Sequence, residues 1–124
     1  MIYEIIRTYN GSVGAYIRDD DGNMVGPLPF DGTHSPDGFE FGYGGSGPAE
    51  LAKSILTAHL GKEPPSALYR QFLFDRIAAL PRGIGRRARH RIMTEAIDDW
   101  LDEVEIWDEE TDMVVPYRET EGAK

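Results

Sequence analysis

The residues of this sequence that could best do chemistry lie in the glycine-rich segment 39–52, which reads FEFGYGGSGPAELA. A strand-like aromatic run here leads through Gly44, Gly45, Ser46 and Gly47 into the apolar pattern of a helix. Backbone N–H groups at the start of a helix can bind a phosphate or a carboxylate, and glycine lets a ligand approach closely. The segment therefore predicts a possible anion-binding turn. The simpler alternative, which we prefer, is a tight strand-to-helix connection that the glycines permit sterically.

Two enzymatic motifs are only partly present in this segment. Gly42, Gly44 and Gly47 fit the G-x-G-x-x-G dinucleotide fingerprint, but no second parallel strand ending in an acidic residue follows about twenty residues on. Ser46 fits part of the nucleophile elbow G-x-S-x-G, but Pro48 replaces the final glycine. A Walker A loop is excluded because the lysine that it requires is missing. The sequence therefore predicts no catalytic residue, and a non-enzymatic protein.

The histidines and cysteines give no metal-binding signature. His34, His59 and His90 are far apart and fall on different predicted elements, without H-x-x-x-H spacing. The chain has no cysteine, which excludes disulfides, thiolate zinc sites and cysteine nucleophiles. We expect neither a metal nor a cofactor.

Charge is distributed unevenly along the second half of the chain. Arginines are concentrated over residues 82–91, and a run of carboxylates follows without a compensating lysine or arginine before Arg118. We predict a helix near 86–104, and this order of charges opposes its macrodipole. The macrodipole favours acids at the start and bases at the end of a helix by about 0.3–1 kcal/mol per charge. The candidate partner-binding carboxylates are Glu95, Asp98, Asp99, Asp102, Glu103, Glu105, Asp108 and Glu109. They predict an acidic face that mimics nucleic acid toward a basic groove, the alternative being an ordinary solvated face.

Length and composition restrict the remaining possibilities. A chain of 124 residues fits one domain, which we place at residues 1–117, with a disordered tail at 118–124. The net charge of −9 argues against direct binding of nucleic acid and suits a partner with a basic surface. The sequence shows neither a signal peptide nor an apolar membrane span, so we expect a cytoplasmic protein without a membrane partner.

The predicted elements describe an α+β fold. The turn dipeptides Asn10-Gly11 and Asp21-Gly22 predict three antiparallel strands near 2–9, 12–19 and 23–27. Alternation predicts a fourth strand at 39–43, which would complete an antiparallel sheet packed against two or three helices. Apolar periodicity and caps place those helices near 47–60, 66–80 and 86–104. Residues 105–117 suit a last hairpin or a single edge strand.

The run FGYGGSGPAELA at 41–52, with YRQF at 69–72 and Leu80-Pro81, resembles an uncharacterised family of small proteins from bacteriophages and prokaryotic mobile elements. The resemblance implies no transferable activity. It implies a phage or mobile-element accessory protein, and small acidic proteins of that setting are often inhibitors of host defence, including anti-CRISPR proteins. Two alternatives stay open: a small ligand- or nucleotide-binding protein that uses the glycine turn, and a virion or assembly component that associates through the apolar stripe Ile92–Val104.

Overall fold

A computed structural model describes residues 1–83 and 87–122 of the chain. The described residues form the predicted α+β fold, in which a four-stranded antiparallel sheet is accompanied by a two-stranded hairpin and helices. The strands of the larger sheet are β1 (Ile2–Arg7), β2 (Val13–Arg18), β3 (Met24–Pro27) and β4 (Ala88–Met93). Their order is β3-β2-β1-β4, so β1 lies between β2 and β4.

Helices and a separate two-stranded hairpin complete the described fold. Helix α1 (Ser46–Leu60) is the longest, and α2 (Ser66–Phe72) continues into a π-helical turn at Leu73–Ile77. After β4 come α3 (Thr94–Glu103), β5 (Glu105–Asp108), β6 (Met113–Pro116) and α4 (Tyr117–Gly122).

The first three strands are confirmed, and the turn residues explain them. Gly11 and Gly22 adopt φ values of 90° and 85°, the left-handed conformation that tight hairpin turns require. Likewise α1 begins and ends close to the predicted positions, with Gly61 as its left-handed C-cap at φ 73°. These elements are specified by local sequence.

The predicted fourth strand at 39–43 is wrong, because this segment is a loop. Its middle residue, Phe41, is fully buried, and the next residue, Gly42, turns the chain with φ 87°. The Gly42 N–H donates to the Ile77 carbonyl at 3.0 Å, so this backbone bonds to the end of the π-helical turn and not to a neighbouring strand.

The fourth strand is instead β4, in the region predicted as the first part of a helix over 86–104. Residues of β4 alternate between half-buried and exposed, as a strand requires. Pairing along β1 satisfies its backbone, and the helix starts only at Thr94, whose N–H donates to the Met1 carbonyl at 3.0 Å. Arg86, the first residue of the predicted helix, lies outside the described residues. The apolar stripe from Ile92 onward is therefore shared between a strand and a helix.

The end of the chain also differs from the prediction. Residues 105–116 form the hairpin that was one of two expectations, and helix α4 (Tyr117–Gly122) includes residues 118–122 of the predicted disordered tail. Tyr117 is only 1% exposed, and its N–H donates to the Val104 carbonyl at 2.9 Å, which fastens α4 to the end of α3. Residues 123–124 of the predicted tail lie outside the described residues.

The two faces of the larger sheet have different environments. Tyr3 and Ile5 of β1 join the buried core with apolar residues of α1, α2 and α3. Alternate β1 residues point the opposite way, onto a face that we call the outer face. The register places Arg89 beside Ile6 and Arg91 beside Glu4 on this outer face.

Candidate functional site

The predicted acidic residues of α3 share one surface of the helix. Ile97, Trp100 and Leu101 are buried, so they define its inner side. At 3.6 residues per turn, the five carboxylates lie within an arc of about 140° on the opposite side. All five are exposed, and we call them the acidic face: Glu95, Asp98, Asp99, Asp102 and Glu103.

Tertiary packing brings a histidine and an arginine to the acidic face. His59 of α1 lies with its Nε2 2.7 Å from Asp98 Oδ1, and the Arg118 Nε of α4 donates to Asp102 Oδ1 at 3.0 Å. Within the described chain, Glu95, Asp99 and Glu103 have no salt bridge. The acidic face is thus only partly compensated.

The predicted acidic residues beyond α3 do not all serve as a surface. Glu105 and Glu109 are exposed, on β5 and in the following turn. Asp108 instead holds that turn together, since its carboxylate accepts hydrogen bonds from the Glu110 N–H and the Thr111 hydroxyl, each at 3.1 Å. Asp108 therefore has a structural role that its place in an acidic run concealed.

The glycine turn borders a cavity of about 290 Å³ at the start of α1. Gly44, Gly45 and Ser46 line it, together with His34 and Arg70. The N-cap of α1 is Gly45, so no side chain at this position caps the first N–H groups of the helix. The arrangement could accept an anion, as the sequence predicted for residues Gly44 to Gly47.

Close packing explains the same glycines without a ligand. A Cβ at Gly45 would lie 2.4 Å from the Tyr43 ring, and one at Gly44 would lie 3.1 Å from Phe74. At Gly47, a Cβ would approach the Cβ of Glu40 to 2.7 Å. Each glycine therefore makes room for a neighbouring side chain, in agreement with the structural alternative.

An ion pair that the sequence does not reveal fastens the loop before this turn. The buried Arg7 guanidinium binds both carboxylate oxygens of Glu40, and its Nε donates to the Arg82 carbonyl at 2.8 Å. The Arg7 hydrogen bond lowers the pKa of Glu40, and the same bond raises the pKa of Arg7. Gly47 takes part indirectly, because only a residue without Cβ leaves space for Glu40.

Glu50 of α1 shapes a second loop. It is fully buried, and its Oε1 accepts hydrogen bonds from the N–H groups of His34 and Ser35 at 2.8 and 3.1 Å. Hydrogen bonds from the Thr33 N–H and hydroxyl, with smaller contributions from Glu50 and Lys53, lower the pKa of the neighbouring Asp31 to about 2. These polar groups order the loop that precedes the glycine segment.

The outer face of the sheet carries a cluster of arginines around one carboxylate. Glu4 is fully buried there, with Arg18 Nε 2.8 Å from its Oε1 and Arg91 Nε 3.0 Å from its Oε2. Arg89 is more distant, with its Nε 3.8 Å from Oε2. The sequence prediction missed this cluster, although basic residues at every second position of 87–91 are a strand pattern that could have revealed it.

The histidines remain apart in the fold. His90 Nε2 lies 2.9 Å from the Pro81 carbonyl oxygen and His59 contacts Asp98, while His34 lines the cavity at the glycine turn. Over residues 1–83 and 87–122, no group of three or more histidine or carboxylate side chains could hold a metal ion. No helix in this part of the chain is long and apolar enough to cross a membrane.

Comparison with known proteins adds a family but no activity. A family model described as a family of unknown function (DUF6166) matches residues 7–103, which include the glycine turn, β4 and α3. Neither a curated protein nor a solved structure matches the chain.

Proposed function

The chain belongs to the DUF6166 family, whose description assigns no activity, and we propose that it acts by binding a protein with a basic surface through the acidic face of α3. In this proposal the carboxylates occupy positions that nucleic-acid phosphates would take in the partner's groove. The protein would then exclude nucleic acid from that partner without making or breaking a covalent bond.

The observation that carries the proposal is the arrangement of five exposed carboxylates directly opposite the buried side of α3. A helix packed through Ile97, Trp100 and Leu101 presents these charges on a rigid support, which reduces the ordering cost of binding. Glu95, Asp99 and Glu103, the residues without a salt bridge in the described chain, are the ones that a partner's arginines or lysines can pair with directly.

The decisive experiment compares two charge-reversed proteins that differ only in where the charge is changed. The test variant is Asp99→Lys with Glu103→Lys, which avoids Asp98 and Asp102 because they already contact His59 and Arg118. The matched control is Asp21→Lys with Asp37→Lys, since both carboxylates are exposed and lie on loops far along the chain from α3. Thermal melting establishes that both variants fold.

Affinity capture from host lysate, with the captured proteins identified and then purified, provides the partner for this comparison. We expect the partner to be a basic nucleic-acid-handling protein, to be released by added DNA, and to be lost with the test variant only. Equal capture by both variants, or capture that DNA does not affect, would contradict the proposal.

The wider setting that we propose is a phage or mobile element, with inhibition of a host defence complex such as CRISPR interference as the role. Small size, acidic charge and the resemblance of residues 39–82 support this step. Expressing the protein in a host with active interference should restore phage plating, and the test variant should not. Unchanged plating in hosts with several defence systems would count against this role.

A second candidate function is favoured by the 290 Å³ cavity at the glycine turn, where the start of α1 lies beside His34 and Arg70. A small phosphate- or carboxylate-bearing ligand would fit this chemistry. Thermal-shift screening with nucleotides and phosphates tests it, because a ligand at 100 times its Kd adds about 2.7 kcal/mol of stability. Assembly through the stripe Ile92–Val104 is not proposed, since Ile97, Trp100 and Leu101 are already buried within the chain.

A further inference from the structure

A second cavity, of about 460 Å³, lies at the end of the outer face where β1 and β4 meet the first hairpin turn. Among the described residues, none that lines it is acidic, although the whole chain carries a net charge of −9. The residues that line it are Ile6, Arg7, Thr8, Tyr9, Asn10, Arg87 and Arg89. This composition favours an anionic ligand.

Two of the lining residues combine a positive charge with an exposed aromatic ring. The guanidinium carbon of Arg87 lies 4.4 Å from the centroid of the Tyr9 ring, a cation–π contact. The Tyr9 residue is 72% exposed, so part of its ring remains open to a planar ligand. Tyrosine rings and arginine planes are the surfaces on which nucleic-acid bases stack.

The neighbouring Glu4 cluster leaves positive charge in excess beside this cavity. Glu4 is the carboxylate toward which Arg18, Arg89 and Arg91 all point, and it hydrogen-bonds Arg18 and Arg91. Arg89 is the most distant of the three and its side chain is 62% exposed. Its guanidinium can therefore turn toward an incoming phosphate while Glu4 keeps two partners.

The apolar part of the lining completes the chemistry. Ile6 is half-buried on the outer face and lies beside Arg89 in the register of the sheet. An inorganic anion would gain nothing from Ile6 or from the Tyr9 ring, whereas a ligand that joins a planar base to a phosphate uses both.

We propose that this cavity binds a nucleotide, free or within a single-stranded nucleic acid, with its phosphate between Arg87 and Arg89 and its base against Tyr9. The site is separate from the acidic face, and the proposal does not depend on the function proposed for that face. Added salt competes with the contacts between the two arginines and the phosphate, so we expect binding to be strongest at low salt.

The proposal is tested by measuring the binding of a labelled twelve-nucleotide oligothymidylate by fluorescence anisotropy at increasing salt concentration. Two phosphate contacts to a single strand predict a slope of about −1.4 for the logarithm of the binding constant against the logarithm of salt concentration. We expect Tyr9→Ala to weaken binding at least about fivefold through lost stacking. The double variant Arg87→Glu with Arg89→Glu should abolish it.

The matched control is Arg76→Glu, which changes an exposed arginine on the π-helical turn that is absent from the cavity lining. This control should retain binding apart from a small general charge effect. Competition by thymidine monophosphate distinguishes a free nucleotide from a single strand as the ligand. If the monophosphate displaces the labelled probe at a concentration near that of unlabelled oligonucleotide, a free nucleotide is sufficient. If only the oligonucleotide displaces the probe, the ligand is a single strand. Both support the site.

The proposal would be overturned if the folded wild-type protein bound neither probe at low salt, or if Arg76→Glu weakened binding as much as the cavity variants. The Tyr9 variant guards against misfolding, since it changes an exposed residue at a hairpin turn and should melt like wild type. Its failure to weaken binding would remove the stacking role of the ring and with it the assignment of a nucleotide.

Discussion

Arg91 donates a hydrogen bond from its Nε to Oε2 of Glu4 at 3.0 Å, joining two residues that are 87 positions apart in the chain. Glu4 is fully buried although it points to the outer face, where such a carboxylate would normally be hydrated. Arg18 and Arg91 take the place of water from two sides, so β2 and β4 are linked through a residue of the strand between them. The hydrogen bond from Arg18 is the largest cause that lowers the pKa of Glu4.

Replacing Glu4 with glutamine should lower the free energy of unfolding at pH 7 by about 2–3 kcal/mol. The amide is similar in size but removes the charge that two arginines bind, and hydrogen bonds to charged groups contribute about 1.5–3 kcal/mol. Urea denaturation of both proteins measures the difference. Glu109→Gln, at an exposed position, is the control and should change stability by less than about 0.5 kcal/mol.

The contribution of Glu4 should also depend on pH in a stated direction. Because folding lowers its pKa, the stabilisation is fully present above the ordinary value of 4.5 and is lost as the pH falls through the lower folded value. The stability difference between wild type and Glu4→Gln should therefore shrink below pH 4.5. A difference that stays constant down to pH 2.5 would contradict the ion-pair explanation.

Arg7→Lys should destabilise the protein by about 2 kcal/mol even though the charge is retained. Lysine cannot bind both oxygens of Glu40 and also reach the Arg82 carbonyl, as the buried guanidinium does. Thermal and chemical unfolding measure the loss. Arg76→Lys, at an exposed position, should be close to neutral, and equal effects of the two changes would show that the bidentate geometry is unimportant.

Gly42→Ala and Gly38→Ala should separate the cost of backbone strain from the cost of a steric clash, since both glycines adopt positive φ. Gly38 has φ 108° and open space around its Cβ position, so alanine there adds only backbone strain, of about 1–2 kcal/mol. At Gly42, with φ 87°, a Cβ would also lie 2.9 Å from the Leu80 carbonyl oxygen. Gly42→Ala should therefore be the more destabilising by at least about 1 kcal/mol in urea denaturation; equal losses would mean that the loop shifts freely.

Asp75→Ala should leave a buried hydrogen-bond donor, the Trp100 Nε1–H, without its acceptor. Trp100 is 4% exposed, and its Nε1 donates to Asp75 Oδ2 at 2.9 Å, which connects α3 to the π-helical turn. Leaving that donor without a partner costs about 1–3 kcal/mol. In the background Trp100→Phe, which has no N–H, the same change should cost clearly less, and an equal cost in both backgrounds would disprove the coupling.

The sequence predicted well those elements that short-range rules decide. The Asn10-Gly11 and Asp21-Gly22 dipeptides specified the first hairpins, and the proline and glycine near the ends of α1 delimited that helix. The same rules failed at the stripe Ile92–Val104, because apolar residues at this spacing satisfy a helix throughout. Only pairing with β1 turns its first residues into an edge strand.

For the candidate sites, the sequence alone determined that carboxylates are concentrated on one helix and that glycines surround the start of α1. A helical period of 3.6 residues is sufficient to place Asp99 and Glu103 on one side. Tertiary structure alone decided which of these carboxylates have partners, since Arg118 and His59 reach the acidic face from other helices. It also placed Tyr9 beside Arg87 and Glu4 among arginines, because contacts between distant residues depend on strand order and register, which local sequence patterns do not encode.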